Sequence, residues 1–366
     1  GGAAYSRLMA AALARRCELL SVVSAHAENV ADWRASGLSL VEVPTYTSWP
    51  EALLSLARVG RLLALRSRIR AHSPDVLYYP MVHPWAPALN ALLPEVAKVL
   101  TVHDPVLHLG ERNPAVALLQ RVLVRQSARV IVLSRHAAAQ ATAQGVPAAA
   151  VDVVPHGEFS LYGAAGPRDG APAPDGDTLL FFGRICQYKG IDVLLEAFRA
   201  IRERRPATRL LLVGSGDLDP YASRLGALPG VTVVNRWVPD DEVHPYFARA
   251  ALVVLPYLDG SQSGVIPIAY AHRLPVVASR VGGIPDQVVD GETGLLVAAG
   301  DAGALAAACL SLLESPERRD EMGRKAAALA ALEWSWDAAA AKVLESLGAA
   351  ALARRGRRAL LRWPST

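Results

Sequence analysis

The sequence predicts an α/β fold in which two doubly wound parallel-sheet domains face each other across a cleft. Short β-like runs alternate with helical patterns along the chain, which is typical of parallel sheets covered by helices on both faces. Residues 160–178 interrupt this alternation with a Gly-, Pro-, Ala- and Asp-rich stretch typical of a linker. A chain of 366 residues is long enough for two domains of ordinary size.

We expect the N-terminal domain to cover residues 1–160. It opens on an Ala-rich helical pattern at 3–15, with no β-like run before it. Further helical patterns cover 51–71 and 115–126. The predicted strands are 19–23, 39–43, 76–79, 99–102, 130–133 and 151–154.

A linker at 161–178 leads to the C-terminal domain, expected at 179–335. Its predicted strands are 179–182, 210–213, 231–234, 251–255 and 275–278. Its predicted helices are 191–204, 219–228, 240–248, 265–271 and 302–313, the last capped by Asp301. Residues 336–366 are predicted to form a helical segment that packs back toward the N-terminal domain.

Composition excludes several classes of protein. Hydrophobic residues make up 52% of the chain, but no uncharged apolar run reaches the ~18 residues that span a bilayer, so a soluble protein is predicted. The start lacks the pattern of a signal peptide. Three scattered cysteines, Cys17, Cys186 and Cys309, argue against a disulfide framework or zinc site and fit a reducing cytoplasm. The net charge of +4 indicates an anionic partner without identifying it.

A polar, glycine-containing turn at 259–264 separates a predicted strand from the helix at 265–271. It places backbone N–H groups of Ser263, Gly264 and Val265 at the start of that helix. Unpaired donors and the helix dipole attract an anion such as a diphosphate at such a position. We therefore interpret this turn as the phosphate end of a nucleotide-sugar site.

Two more loops follow strands at the same edge of the predicted sheet. In FFGRICQYKG, Gly183 lets the backbone turn sharply, and Arg184 and Lys189 are placed to meet phosphate oxygens. In LLLVGSGDLD, Gly214 opens a GSG turn, which is a weak signal because any tight connection favours glycine. An ordinary basic loop is the alternative, but three loops at one edge favour a phosphate site.

These motifs, together with VGGIPDQVVDGETGLLV, resemble the family-four retaining glycosyltransferases, which have the GT-B fold of two Rossmann-like domains. The resemblance covers nearly the whole chain and is strongest at 181–297. It implies a nucleoside diphosphate sugar held mainly by the C-terminal domain, its base near 235–238, with no metal or other cofactor, and an acceptor held mainly by the N-terminal domain. The implied donor-binding residues are Gly1, Gly2, Gly183, Gly214, Arg236, Trp237, Val238, Gln262, Ser263, Gly264 and Val265.

The sequence departs from the family pattern in the turn region. Many members carry two glutamates eight positions apart, one for the sugar and one for the ribose. Here these positions hold Gly260 and Ile268, or Gln262 and Tyr270 in a gapped register, and neither pair supplies a carboxylate. Arg273 stands where the pattern usually has glycine. The sequence SQSGV at 261–265 resembles a subgroup of the same superfamily. We therefore expect these departures to affect the contacts with the donor rather than the fold.

His103 and Asp104 follow a predicted strand of the N-terminal domain, in LTVHDPVLHLGE. The resemblance implies that His103 acts at the reacting centre with Arg184 and Lys189, contacting the donor sugar without forming a covalent intermediate. A packed structural histidine is the alternative. The acceptor-side candidates, for each of which loop packing is the alternative, are His83, Trp85, Asp104, His108 and Glu111.

Gly1 and Gly2 match the glycine loop that follows the first strand in this family and approaches the donor phosphates. The first strand of the N-terminal domain is therefore expected to be missing. Either the N-terminus was lost when the sequence was defined, or the protein lacks this strand.

Two arginine-rich stretches are predicted to form basic amphipathic helices that can lie on an anionic membrane surface. Solvated surface helices are the alternative. Nucleic-acid binding is not expected, because no base-reading motif is present. The arginines are Arg58, Arg61, Arg66, Arg68 and Arg70 on one long helix, and Arg354, Arg355, Arg357, Arg358 and Arg362 near the C-terminus.

The sequence thus predicts a cytoplasmic GT-B hexosyltransferase, with a peripheral location at the inner face of the membrane as an option. It would move a sugar, with retention at the anomeric carbon, to a hydroxyl acceptor of a polysaccharide, lipid-linked glycan or natural product. A GT-B sugar-nucleotide epimerase and a nucleotide-binding subunit with little or no activity are the alternatives.

Overall fold

The computed structural model describes residues 2–47, 49–56, 58–106, 113–157 and 176–360. These residues divide into two compact units. Unit 1 contains the described residues up to 157 together with the segment that begins at Trp336. Unit 2 contains the described residues from 176 to 335. The predicted linker lies almost entirely outside the described residues.

Unit 1 contains two groups of parallel strands. Strands β1 (Ser21–Ser24) and β2 (Leu40–Val43) pair with each other. A separate four-stranded sheet has the order β3-β4-β5-β6, and these strands are Val76–Tyr79, Ala97–Val102, Arg129–Val132 and Val151–Val153. Every residue of β4 is buried, as expected for a central parallel strand with both faces covered.

Eight described helices belong to unit 1. They are α1 (Gly2–Ala14), α2 (Val30–Ala35), α3 (Trp49–Leu56), α4 (Val59–His72), α5 (Ala86–Leu92), α6 (Pro114–Gln126), α7 (Arg135–Ala143) and α14 (Trp336–Leu360). Helix α1 buries Tyr5, Met9 and Leu13, which recur every four residues and so share one face. This face forms a core with Val343 of α14 and Val99 of β4.

Unit 2 is a six-stranded parallel sheet with the order β12-β11-β10-β7-β8-β9. In chain order the strands are β7 (Thr178–Phe182), β8 (Arg209–Val213), β9 (Val231–Val234), β10 (Leu252–Leu255), β11 (Val276–Ser279) and β12 (Gly294–Val297). The helices are α8 (Ile191–Arg204), α9 (Ala222–Ala227), α10 (His244–Ala248), α11 (Val265–Ala271), α12 (Ala302–Leu313) and α13 (Pro316–Glu333). Strand order reverses at β7, which creates the topological switch point where such sheets bind ligands.

The predicted α/β class with parallel sheets is confirmed in both units. Asp301 caps α12 as predicted, because its Oδ1 accepts the N–H of Ala304 at 2.8 Å. The strand β12 was not predicted. No described helix has the length and apolar character needed to cross a membrane.

The single long helix predicted at 51–71 is wrong. The chain forms two helices instead, and Arg58 lies at the start of α4 with a non-helical ψ of 60°. Val59 and Gly60, which follow, have low helix propensity. The helix predicted at 240–248 also begins later, at His244, because Pro245 is tolerated only in the first turn of a helix.

Residue Gly2 begins α1, and Gly1 lies outside the described residues. A Cβ added to Gly2 would lie 2.6 Å from Cε of Met81, in the loop after β3. No described residue precedes α1, so the missing first strand stays a prediction.

Candidate functional site

Three loops of unit 2 meet at one edge of its sheet, because they follow the neighbouring strands β8, β7 and β10. Backbone hydrogen bonds hold them together. The Ile185 N–H donates to the Ser215 carbonyl at 2.9 Å, and the Leu258 N–H donates to the Tyr188 carbonyl at 2.7 Å. The sequence motifs that suggested a phosphate site therefore lie side by side.

Two glycines allow this close approach. Gly214 has a φ of 147°, and an added Cβ would lie 1.8 Å from the carbonyl oxygen of Gly183. Gly190 has a φ of 70°, and an added Cβ would lie 1.9 Å from the carbonyl oxygen of Pro256. Neither position can hold a larger residue without moving backbone, so the loops stand in direct backbone contact.

The first loop presents two cations. Arg184 is exposed, with Nη2 3.4 Å from the Tyr188 hydroxyl. The Lys189 ammonium lies 3.6 Å from the centre of the Tyr257 ring, a cation–π contact that fixes its position. Because a ring face attracts an ammonium group without providing an oxygen acceptor, Lys189 keeps N–H donors for an anion.

Three backbone N–H groups in the turn before α11 were predicted to be free, but two of them are already hydrogen-bonded. The Ser263 N–H donates to Oε1 of Gln287 at 2.7 Å, and the Val265 N–H donates to Oγ of Ser263 at 3.3 Å. The prediction is wrong for these two groups, because a helix start seen in sequence does not reveal a side chain that reaches it from 24 positions away. For the Gly264 N–H, the structure records no partner among the described residues.

Other features of this turn concern the sugar end of the predicted donor site. The Oε1 atom of Gln262 is buried and has no hydrogen-bond partner among the described residues. A buried acceptor without a donor is costly, so this oxygen is suited to receive a hydroxyl group. The turn also lies near the basic loop, since a Cβ added to Gly183 would be 3.9 Å from Cγ2 of Val265.

The segment after β9 contains the residues predicted to hold the donor base. Arg236 pairs with Glu242 and lies 3.3 Å from the Tyr246 hydroxyl. Trp237 is 60% exposed, whereas Val238 is buried. Of the three predicted contacts, Trp237 offers an open ring, Arg236 is already held by an acidic partner, and Val238 belongs to the core.

His103 follows β4 in unit 1. Its Nε2 lies 3.0 Å from the carbonyl oxygen of Pro80. A carbonyl only accepts, so Nε2 carries the proton and Nδ1 of the neutral ring is the acceptor. Burial lowers the pKa of His103, and the hydrogen bond to Pro80 partly opposes this shift. The ring is therefore a neutral hydrogen-bonding group.

A second histidine, His156, was not singled out from the sequence. His103 directly follows β4, whereas Val154 and Pro155 separate His156 from the end of β6. Its place shortly after a strand was the signal that could have found it. The Tyr5 ring lies 4.9 Å from the ring of His103 and 5.1 Å from that of His156. Nδ1 of His156 lies 2.8 Å from the Gly157 carbonyl, and burial lowers its pKa to about 4.

The acceptor-side candidates are placed differently from one another. His83 accepts the Trp85 N–H at 3.1 Å through Nδ1, and burial lowers its pKa to about 4. Trp85 is only 2% exposed and donates its indole N–H to Oγ of Ser55 at 2.7 Å. Trp85 is thus a core residue, which argues against acceptor contact. Asp104 is half-buried, whereas His108 and Glu111 lie outside the described residues.

Among the described residues, no group of three or more His, Cys, Asp or Glu side chains is placed to hold a metal ion. The expectation that donor binding needs no metal stays a prediction. The three cysteines are free thiols.

Comparisons with known proteins agree with the division into two units. A family model described as "Glycosyl transferase 4-like domain" matches residues 1–157, and one described as "Glycosyl transferases group 1" matches residues 176–315. The chain belongs to the family-four glycosyltransferases. The two matched ranges fall in units 1 and 2, respectively.

Two relatives of the family carry specific names. The chain is 32% identical over 293 residues to the D-inositol 3-phosphate glycosyltransferase of Segniliparus rotundus, covering 75% of this chain and 62% of the relative. It is 31% identical over 243 residues to the GDP-mannose-dependent alpha-(1-6)-phosphatidylinositol monomannoside mannosyltransferase of Mycolicibacterium smegmatis, covering 62% of this chain and 63% of the relative. The chain thus spans less than two thirds of the length of these relatives.

A solved structure shows the same fold. The crystal structure of Anabaena HepE in complex with UDP and glucose matches with a TM-score of 0.73 at 18% identity, covering 94% of this chain and 95% of HepE. The GT-B fold class that the sequence resemblance implied is therefore confirmed.

Proposed function

We propose that this chain transfers a sugar from a nucleoside diphosphate sugar to a hydroxyl acceptor, with retention at the anomeric carbon. The observation that carries this proposal is the loop cluster of unit 2. It places the exposed Arg184 guanidinium and the Lys189 ammonium at the carboxyl edge of a parallel sheet. Ligands of such sheets bind at this edge, and two cations suit a diphosphate.

The same groups account for the chemistry of the leaving group. As the bond between the sugar and the diphosphate breaks, negative charge grows on the departing phosphate oxygen. Arg184 and Lys189 stabilise this charge more strongly in the transition state than in the bound donor, which is the requirement for catalysis. Helix α11 has only seven residues, so we assign the main effect to the side chains rather than to its dipole.

We further propose that the donor carries UDP or GDP. HepE was solved with UDP, and the mycobacterial relative is named as GDP-mannose-dependent. The exposed ring of Trp237 is suited to stack on a nucleobase. The buried, unbonded Oε1 of Gln262 is suited to accept a sugar hydroxyl in place of the missing glutamates.

For the acceptor we propose a hydroxyl of an inositol-type or lipid-linked molecule, in line with the names of the two relatives. Helices α3 and α4 support contact with a lipid surface. They expose Leu54 and Leu63, at 71% and 42%, and Arg58, which lies between the two helices along the chain, is also exposed. Exposed apolar and basic side chains in this segment of the chain suit an anionic bilayer.

The arginines of the two basic stretches are not equally available for such contact. Arg61 and Arg66 donate to the carbonyl groups of Pro44 and Leu92, respectively, and Arg70 donates to the carboxylate of Glu95. Arg354 donates to the backbone carbonyl of Glu95. The side chains of the arginines beyond Arg354 lie outside the described residues. Sedimentation with vesicles containing anionic phospholipid tests this contact, with Leu54→Glu expected to release the protein and vesicles of neutral lipid as the control.

Incubation with a panel of UDP-, GDP-, ADP- and TDP-sugars tests the function, with nucleotide release and sugar identity followed in the presence and absence of inositol-type acceptors. We expect acceptor-dependent release of UDP or GDP, reduced about 100-fold or more by Arg184→Ala. Arg199→Ala is the matched control, because Arg199 is an exposed residue of α8 paired with Glu203. Release that Arg184→Ala leaves unchanged would contradict the proposal.

Two other outcomes would identify the alternatives. Conversion of the donor into a different nucleotide sugar without any acceptor would indicate an epimerase. Nucleotide binding without turnover of any donor would indicate a binding subunit.

A further inference from the structure

A side chain from a distant segment holds the turn at 259–264. Gln287, which follows β11, is only 7% exposed. Its Oε1 accepts the Ser263 N–H at 2.7 Å, and its Nε2 donates to the Ser263 carbonyl at 3.0 Å. One side-chain amide therefore satisfies both backbone polar groups of the same residue, as a neighbouring strand would do.

Gln287 is itself held by the interior of unit 2. Its backbone carbonyl accepts the Tyr270 hydroxyl at 3.2 Å, and the Tyr270 ring stacks on Trp334 with 5.3 Å between ring centres. Nearby, the Gly283 N–H donates to the carbonyl of Gly260 at 3.1 Å. The position of Gln287 is thus set by packed core residues and not by the loop that it holds.

The other side of Ser263 leads to the basic loop. Its Oγ lies 3.1 Å from the Tyr257 hydroxyl. The ring of Tyr257 lies beneath the Lys189 ammonium, 3.6 Å from its centre to Nζ. A continuous series of contacts therefore runs from Gln287 through Ser263 and Tyr257 to Lys189.

We propose that Gln287 is a positioning residue for donor binding. It fixes Ser263, and through Ser263 and Tyr257 it holds the Lys189 ammonium where the diphosphate of the donor binds. The inference rests on the proposed function, because it takes this loop cluster as the donor site.

The chemistry of the contact explains why glutamine is required. Leucine offers neither a donor nor an acceptor to Ser263, and asparagine is shorter by one methylene group. An ionised glutamate accepts the Ser263 N–H but cannot donate to its carbonyl, whereas a protonated glutamic acid can do both. In the Gln287→Glu variant, the introduced carboxyl group takes up a proton as the pH falls. Its side chain should then hold Ser263 as glutamine does.

The test measures the dissociation constants of UDP and GDP themselves for the wild type, Gln287→Leu and Gln287→Glu. Thermal unfolding first establishes that each variant is folded at the temperature used. We expect Gln287→Leu to weaken binding about 10-fold. For Gln287→Glu, the ratio of its dissociation constant to that of the wild type at the same pH should fall toward one as the pH is lowered.

Tyr257→Phe is a second variant, which keeps the ring beneath Lys189 and removes only the contact with Ser263. We expect it to weaken binding by a smaller factor, about 3-fold. If Gln287→Leu unfolds, the proposal is tested by Gln287→Glu alone, from the pH dependence of its dissociation constant relative to that of the wild type. A residue with a purely structural role would not change the nucleotide affinity of the folded protein with pH in this way.

Two failures are distinguishable. If the wild type binds UDP or GDP and the folded Gln287 variants bind equally well at every pH, the positioning role is overturned while the donor site stands. If the wild type binds no nucleoside diphosphate, both the proposed donor site and this inference are overturned.

Discussion

The candidate residues of the two units follow strands in the same way but differ in electrostatic state. In unit 2, Arg184 and Lys189 lie on the loop after β7, Arg184 exposed and Lys189 over an aromatic ring. In unit 1, His103 and His156 contact Tyr5, and burial lowers the pKa of both. The carboxyl end of a parallel strand can thus present a full charge or a neutral hydrogen-bonding ring, depending on how deeply the side chain is buried.

The two regions also differ in how they are held. The unit 2 loops depend on backbone-to-backbone approach at glycines, whereas the unit 1 histidines depend on contacts between rings. The unit 2 loops should therefore be sensitive to a single added methyl group, and the unit 1 cluster should be sensitive to pH.

The largest effect is expected from Gly214→Ala. The added Cβ would lie 1.8 Å from the Gly183 carbonyl oxygen at a φ of 147°, so the ends of β7 and β8 must move apart. We expect the free energy of unfolding of unit 2 to fall by about 2–4 kcal/mol, measured by urea denaturation. Gly226→Ala, in α9 with open space around it, is the control and should not destabilise the unit.

Lys189→Met tests the charge of the loop separately from its packing. The thioether can still pack on the Tyr257 ring, but the donor diphosphate loses a cation. We expect the dissociation constants of UDP and GDP to rise by about 10- to 100-fold, measured by calorimetry. Lys325→Met removes an exposed cation of α13 that pairs with Glu321 and should leave both constants unchanged. Equal losses in the two variants would mean that the effect is one of net charge.

The stability of unit 1 should depend on pH because two of its histidines have a lowered pKa. His83 and His156 have a pKa of about 4, below the ordinary value of about 6.5, so the unfolded chain binds more protons between these values. Stability is therefore complete above the ordinary pKa and falls as the pH drops toward 4, by at most about 1.4 kcal/mol per pH unit for each histidine.

The variant His156→Asn should reduce this slope in urea unfolding measured between pH 6.5 and 4. His26→Asn, which changes an exposed histidine of the same unit, is the control. An unchanged slope in His156→Asn would show that His156 does not titrate with unfolding.

The smallest effect concerns Arg273, which has a φ of 57° just after α11. Its N–H donates to the Tyr270 carbonyl, and the Leu274 N–H donates to that of Ala269, which is a helix ending that favours glycine. This explains why the family pattern has glycine there. We expect Arg273→Gly to be more stable than Arg273→Ala by about 1 kcal/mol in thermal unfolding, since both remove the charge and only glycine relieves the left-handed backbone. Equal stability would contradict this.

Features that depend on neighbouring residues could be predicted from the amino-acid sequence. The strand and helix periods predicted the parallel α/β class, Asp301 marked the start of α12, and Gly183 and Gly214 marked the loops after β7 and β8. Such features follow from backbone dihedrals and local hydrogen bonds, which a few adjacent side chains decide.

Tertiary structure alone decided which of these residues are available for chemistry. It placed Trp85 in the core against Ser55, joined Ser263 to Gln287 and set Lys189 over Tyr257. These pairs are separated along the chain by 30, 24 and 68 positions. Whether a polar group is free or already bonded depends on such distant partners, and neither motif nor periodicity contains that information.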